Sequence, residues 1–80
     1  MKLTLNTKYN INDTIYVAEC YNGEFFPSRA LTVYQIYTES SLYRTEIYYY
    51  MYYYGEYVKF SESRCFGSYE ECNKWCKEHN

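Results

Sequence analysis

The chain has 80 residues and a formal net charge of −2, which sets one small domain over residues 1–80 and argues against non-specific binding to a nucleic-acid backbone, since that takes a basic patch. A nucleic-acid mimic would be far more acidic, so that class is disfavoured too. Aromatic residues make up 24% of the chain, and 14 of them are Tyr; the rings must therefore carry much of the core, with many hydroxyls kept at the surface where they find partners. Met1-Lys2-Leu3-Thr4-Leu5-Asn6 is too short and polar for a signal peptide, and no apolar stretch is long enough to span a membrane. The expectation is a cytoplasmic protein whose four cysteines, Cys20, Cys65, Cys72 and Cys76, are free thiols.

In chain order, Met1–Lys8 reads as a short edge strand or a loose arm. Asn12-Asp13 reads as a tight turn, because both residue types tolerate unusual backbone angles. Thr14–Cys20 is the first secure strand, with Ile15 and Val17 on one face and Tyr16 and Ala18 on the other. Tyr21–Arg29 contains Asn22-Gly23, a hairpin signal when strands flank it closely. Phe25-Phe26-Pro27 follows, and proline cannot donate to a central ladder, so a long loop with an aromatic tip is expected there. Ala30–Thr38 is the second strand; its apolar residues Val33, Tyr34, Ile36 and Tyr37 do not alternate cleanly, which predicts a bulge or a strong bend.

After a turn at Glu39-Ser40-Ser41, residues 42–60 read as a long β-hairpin with Gly55 in the turn. Tyr, Ile, Thr and Phe favour pleated surfaces, and successive side chains point to opposite faces. One face of Leu42–Tyr54 carries Tyr43, Thr45, Ile47, Tyr49, Met51 and Tyr53 and should meet the core. The other carries Arg44, Glu46, Tyr48, Tyr50, Tyr52 and Tyr54 and should face out. Such a length exceeds the usual strand of about 5–6 residues and predicts a bend. A short fifth strand is expected around Arg64-Cys65-Phe66. Ser68-Tyr69-Glu70-Glu71 has the form of a capping box, with its acidic pair at the positive end of the helix dipole. The helix should run from about Tyr69 to about Glu78, with Cys72, Trp75, Cys76 and His79 on one face. The resulting architecture is mainly β (α+β): a small bent antiparallel sheet, or an SH3-like barrel, of about five strands with one C-terminal helix. Its expected core is Ile15, Val17, Val33, Ile36, Ile47, Tyr49, Met51, Val58 or Tyr57, Phe66, Cys72 and Cys76.

Ile11-Asn12-Asp13-Thr14-Ile15-Tyr16-Val17 resembles the opening strand of small SH3-like barrels, where an apolar-Gly-Asp-x-Val pattern is frequent; Asn12 stands at the Gly position. Phe60-Ser61-Glu62 and Cys65-Phe66-Gly67-Ser68-Tyr69-Glu70-Glu71-Cys72 resemble the ending of many small proteins of phages and Gram-positive bacteria, in which a last strand runs into a capped helix with a Thr/Ser-x-Glu-Glu-Ala pattern. Cys72 takes the small Ala position. The resemblance implies a fold and a phage or mobile-element neighbourhood; proteins of that kind include inhibitors of bacterial immunity, anti-CRISPR proteins among them, and by analogy the expected partner is a host defence protein in the host cytoplasm.

The chain shows no catalytic motif, and the expectation is a non-enzymatic binding protein without a cofactor. The outward stripe Tyr48, Tyr50, Tyr52 and Tyr54, with Arg44 beside it, is the leading contact surface, because Tyr supplies large contact area at low entropic cost and contiguous exposed rings mark interaction sites. Phe25 and Phe26 form a second candidate edge. The stripe has three other readings: cover by a helix or strand of the same chain, burial between copies in a homodimer or larger homo-oligomer, and stacking on a nucleotide immune signal sequestered by an oligomer. Single-stranded nucleic acid is disfavoured because Lys and Arg do not interleave with these rings. Cys65, Cys72, Cys76 and His79 have the element types of a zinc site but lack the tight Cys-x-x-Cys spacing; small thiols packed under Trp75 are the preferred reading. His79 lies beside a fraying end with no positioned nucleophile, so a Cys65–His79 catalytic pair is not expected.

Overall fold

A computed structural model describes residues 7–80. It contains strands β1 (Thr14–Tyr21), β2 (Glu24–Pro27), β3 (Leu31–Ser40), β4 (Thr45–Tyr53), β5 (Glu56–Ser61) and β6 (Cys65–Phe66), and helix α1 (Tyr69–His79), with a single 3₁₀ turn at Glu62–Arg64. The strands run β2-β1-β3-β4-β5, with β6 also pairing β1, and every pairing is antiparallel. The 3₁₀ turn lifts the chain off β5 before the two-residue β6 returns to β1, and β5 and β6 do not pair. The sheet is therefore bent and open, and the closed barrel is the alternative that fails.

Several local expectations hold. Asn12 takes a left-handed φ of 78°, and its N–H donates to the Val33 carbonyl at 2.8 Å, tying the turn to β3. A bulge interrupts β3 between Val33 and Gln35. Ser68 caps α1, its Oγ accepting from the Glu71 N–H at 3.2 Å.

Others are corrected. Tyr21–Arg29 is not a long loop. Asn22 and Gly23, at φ 51° and 79°, turn β1 directly into β2 with Ala18 opposite Pro27. Proline is tolerated there because β2 is an edge strand. The β4 strand starts at Thr45, not Leu42: Ser41 Oγ accepts from the Tyr43 and Arg44 N–H groups at 3.4 and 3.3 Å and holds a turn, leaving Leu42, Tyr43 and Arg44 exposed. The β4 strand also ends before Tyr54, which lies in the turn with Gly55 at φ 48°. The expected edge strand or arm over Met1–Lys8 falls outside the described residues up to residue 6, and Thr7 and Lys8 are not in a strand.

β1 is buried on both faces, which splits the core in two. Ile15 and Val17 join Leu31, Val33, Tyr49, Met51 and Cys65 on one side. Ala18 joins Cys72 and Cys76 of α1 on the other, under Tyr16, Phe25, Phe66 and Trp75. Ile36, Ile47, Val58 and Phe66 are half-buried, and Tyr57 points outward. Ala18, Leu31 and Cys65 are core residues beyond those the pattern predicts. Burial pushes the Cys65 and Cys72 thiols up to about 12, so at neutral pH they pack as protonated apolar groups.

Candidate functional site

The outer face of β3-β4-β5 is a sheet of tyrosines. In β4, Tyr49 and Met51 enter the core, so Tyr48, Tyr50 and Tyr52 stand on the opposite face. Register carries the pattern sideways: Tyr48 lies opposite Tyr37 on β3, and Tyr50 and Tyr52 lie opposite Lys59 and Tyr57 on β5. Tyr34 follows the buried Val33 and turns out by alternation, its ring 4.6 Å from that of Tyr57; the bulge between Val33 and Gln35 then resets the phase so that Tyr37 faces the same side. The six rings fall into two groups of three on this face, one around Tyr37 and one around Tyr57. Tyr37 meets Tyr48 and Tyr50 at 6.4 and 6.2 Å, and Tyr52 meets Tyr57 edge-on at 5.3 Å. Tyr34, Tyr37, Tyr52 and Tyr57 keep 60%, 43%, 54% and 54% of their surface exposed, and α1 packs on β1, β2 and β6 instead. No described element covers this face.

Charges are confined to one end. The Lys59 ammonium lies over Tyr48 at 4.6 Å and over Tyr37 at 5.2 Å, and pairs with Glu39 at 3.6 Å. Arg44 pairs with Glu46 at 2.7 Å. The Tyr48 hydroxyl donates to the Glu46 carboxylate; that bond is the main cause holding the Tyr48 proton, and pushes its pKa up to about 12. An aromatic centre with a charged rim is the anatomy of a protein-binding patch. Lys59, the cation over Tyr37 and Tyr48 at this end, is already engaged by Glu39, and Glu39 and Glu46 repel phosphates. Both features weigh against a nucleic-acid strand.

Of the expected contact residues, Tyr48, Tyr50 and Tyr52 are brought together and Arg44 stands at their charged end. Tyr54 is not with them: its left-handed backbone turns the ring away, to lie 4.5 Å from Tyr53 and under the Arg29 guanidinium at 5.1 Å. Phe25 and Phe26 point to opposite sides of β2. Phe25 is half-buried against Trp75 at 4.9 Å and beneath Arg64 at 5.0 Å, whereas Phe26 is exposed near Tyr53 and Tyr54. Tyr34, Tyr37, Tyr57 and Lys59 complete the patch unforeseen. Tyr57 was findable only through the cross-strand register, and Tyr34 and Tyr37 could be put on one face only with the exact bulge position.

Among the described residues no three His, Cys, Asp or Glu side chains are grouped to hold a metal ion. Cys65 donates its thiol to the Ser61 carbonyl at 3.3 Å, and His79 stacks on Trp75 at 3.8 Å with Nδ1 2.7 Å from the Trp75 carbonyl oxygen. Among the same residues no helix is long and apolar enough to cross a membrane. Comparison with family models, curated proteins and solved structures returns no match to this chain.

Proposed function

We propose that the chain is a non-enzymatic binding protein that docks on a partner protein through the outer face of β3-β4-β5 and inhibits it. One observation carries the docking part: two clusters of three tyrosine rings stand side by side on one sheet face that no described element covers. Tyr loses little conformational entropy on binding and offers both a ring and a hydroxyl. The class of partner, a bacterial defence protein, follows from the resemblance of the first strand and of the strand-helix ending to small phage proteins.

Affinity capture of the tagged protein from nuclease-treated bacterial lysate tests this reading, with mass spectrometry of protein and small-molecule fractions. The expected result is a stoichiometric protein partner that the Tyr50→Ser/Tyr52→Ser double variant no longer captures while its circular dichroism is unchanged. A folded double variant that still captures the partner overturns the surface. A nucleotide eluting without protein moves the function to sequestration. A wild-type particle that the double variant reduces to monomer makes the face a self-interface.

A further inference from the structure

A cleft of about 390 Å³ opens between the tips of the β1–β2 and β4–β5 hairpins, lined by Glu19, Cys20, Tyr21, Phe26, Tyr53 and Tyr54. Glu19 lies opposite Phe26 across the first hairpin, so by alternation these two and Tyr21 share the face turned away from Phe25 and α1. The Tyr53 and Tyr54 rings stand at 85° to each other with centroids 4.5 Å apart, and Tyr53 rests against Phe60 at 5.5 Å. The lining is thus four aromatic rings, Cys20 and one carboxylate, the only charged group among them. Ring faces are electronegative, and together with a carboxylate they complement an organic cation rather than an anion or a neutral group. The chain already uses one of these rings in that way: the Arg29 guanidinium, outside the lining, sits 5.1 Å from the centre of Tyr54. Burial pushes the Glu19 carboxyl above its usual value and Arg29 draws it back.

The backbone gives a second, independent sign. Among the described residues, three other than glycine adopt positive φ: Asn12, Asn22 and Tyr54. Asn is at home there; a bulky aromatic residue is an outlier. A Tyr54-Gly55 turn would be better served by Asn-Gly. Strained positions of this sort cluster at ligand clamps, and this one aims a ring at the cleft.

We infer that this cleft is an aromatic cage for the cationic head of an arginine or lysine side chain on the partner protein. The inference rests on the docking reading and adds a second contact to it. Tyr52 and Tyr57 of the outer face stand at the same hairpin end as Tyr54, so a partner reaching round that tip meets both sites.

Titration of the isotope-labelled protein, followed by amide NMR shifts, tests the cage with N-acetylarginine amide as probe, N-acetylcitrulline amide as its neutral isostere, and adenosine monophosphate as an aromatic anion. The expected result is saturable shifts at Tyr21, Phe26, Tyr53, Tyr54 and Gly55, with the neutral isostere weaker by about tenfold. Tyr54→Asn should remove saturable binding without loss of thermal stability. Glu19→Gln should weaken it, and Arg29→Gln should tighten it by removing a like charge. Equal binding of the citrulline compound, tighter binding of the nucleotide, or unimpaired binding by Tyr54→Asn overturns the cage. The Tyr50→Ser/Tyr52→Ser variant separates this from the docking reading: it should titrate with arginine as the wild type does. An inert cleft beside intact partner capture overturns the cage alone, whereas a working cleft with no captured protein overturns the side-chain source.

Discussion

Tyr49 buries its ring in the core and keeps its hydroxyl satisfied at the margin, donating to the Glu62 carboxylate at 2.5 Å and accepting from the Tyr9 N–H at 3.3 Å. Glu62 also accepts from the Lys8 N–H at 3.2 Å, so one carboxylate ties the residues before β1 to the centre of β4. Hydrogen bonds to charged groups are worth more than neutral ones, and removing one partner leaves the other desolvated. Tyr49→Phe, which keeps the ring, should therefore cost about 2 kcal/mol in urea unfolding; a cost near zero would mean that the hydroxyl is dispensable. Tyr54 is the contrary case. Its ring is largely exposed, and a non-glycine residue held at positive φ costs on the order of 1–3 kcal/mol. Tyr54→Asn gives up modest ring contacts and relieves that strain, so it should raise stability by about 1 kcal/mol in the same measurement. Stability gained by this substitution would show that the native residue serves something other than folding.

At the scale of elements, one edge of the sheet carries a guard against further pairing. The edge at β2 is guarded: the Asn80 amide accepts from the Phe25 N–H at 2.6 Å and donates to the Phe25 carbonyl at 2.9 Å, offering β2 the pair of bonds that a neighbouring strand would make. Asn80→Ala should speed hydrogen exchange at the Phe25 amide while leaving the β4 amides unchanged. Unaltered exchange at Phe25 would show that α1 packing alone shields the edge. The same region marks where sequence reading stops. Alternation was enough to separate Tyr49 and Met51 from Tyr48, Tyr50 and Tyr52, and Ser68 and Asn12 declared a cap and a turn, because each of these signals is local. Asn22-Gly23 reads as part of a loop because Pro27 follows it. That proline is harmless on an edge strand, and edge status depends on a strand order that no local pattern carries. Phe25 looked exposed for the same reason, since its cover comes from a helix fifty residues away. Tyr54 was assigned to the outer stripe by extending the alternation one residue past the place where the turn begins.

For the whole molecule, β1 is clamped between two cores while the β3-β4-β5 face stays uncovered. The structure thus separates the groups that hold the fold from those that line the exposed face. The buried set has a collective signature in pH. Burial raises the Cys65 and Cys72 thiols from 9.0 to about 12 and also raises Cys76, and burial followed by the Glu62 hydrogen bond raises the Tyr49 hydroxyl from 10.0. Each group is neutral when protonated, and in the native state each keeps its proton to higher pH than in the unfolded chain. Above about pH 9 the unfolded chain releases protons that the native state still holds, so stability falls with pH. The contribution is complete below the unfolded values of 9.0 and 10.0 and is lost as pH climbs towards the folded ones. Urea midpoints should be flat with respect to these groups up to about pH 9 and then drop steeply. Cys72→Ala, which retains a small apolar residue, should make that drop shallower by removing one of the groups that drive it. Since Tyr48 stands on the exposed face with its proton held by Glu46, Glu46→Gln should shift the tyrosinate absorbance of the outer face to lower pH without moving the unfolding transition. Coincidence of the two transitions in that variant would contradict the separation of core from exposed face.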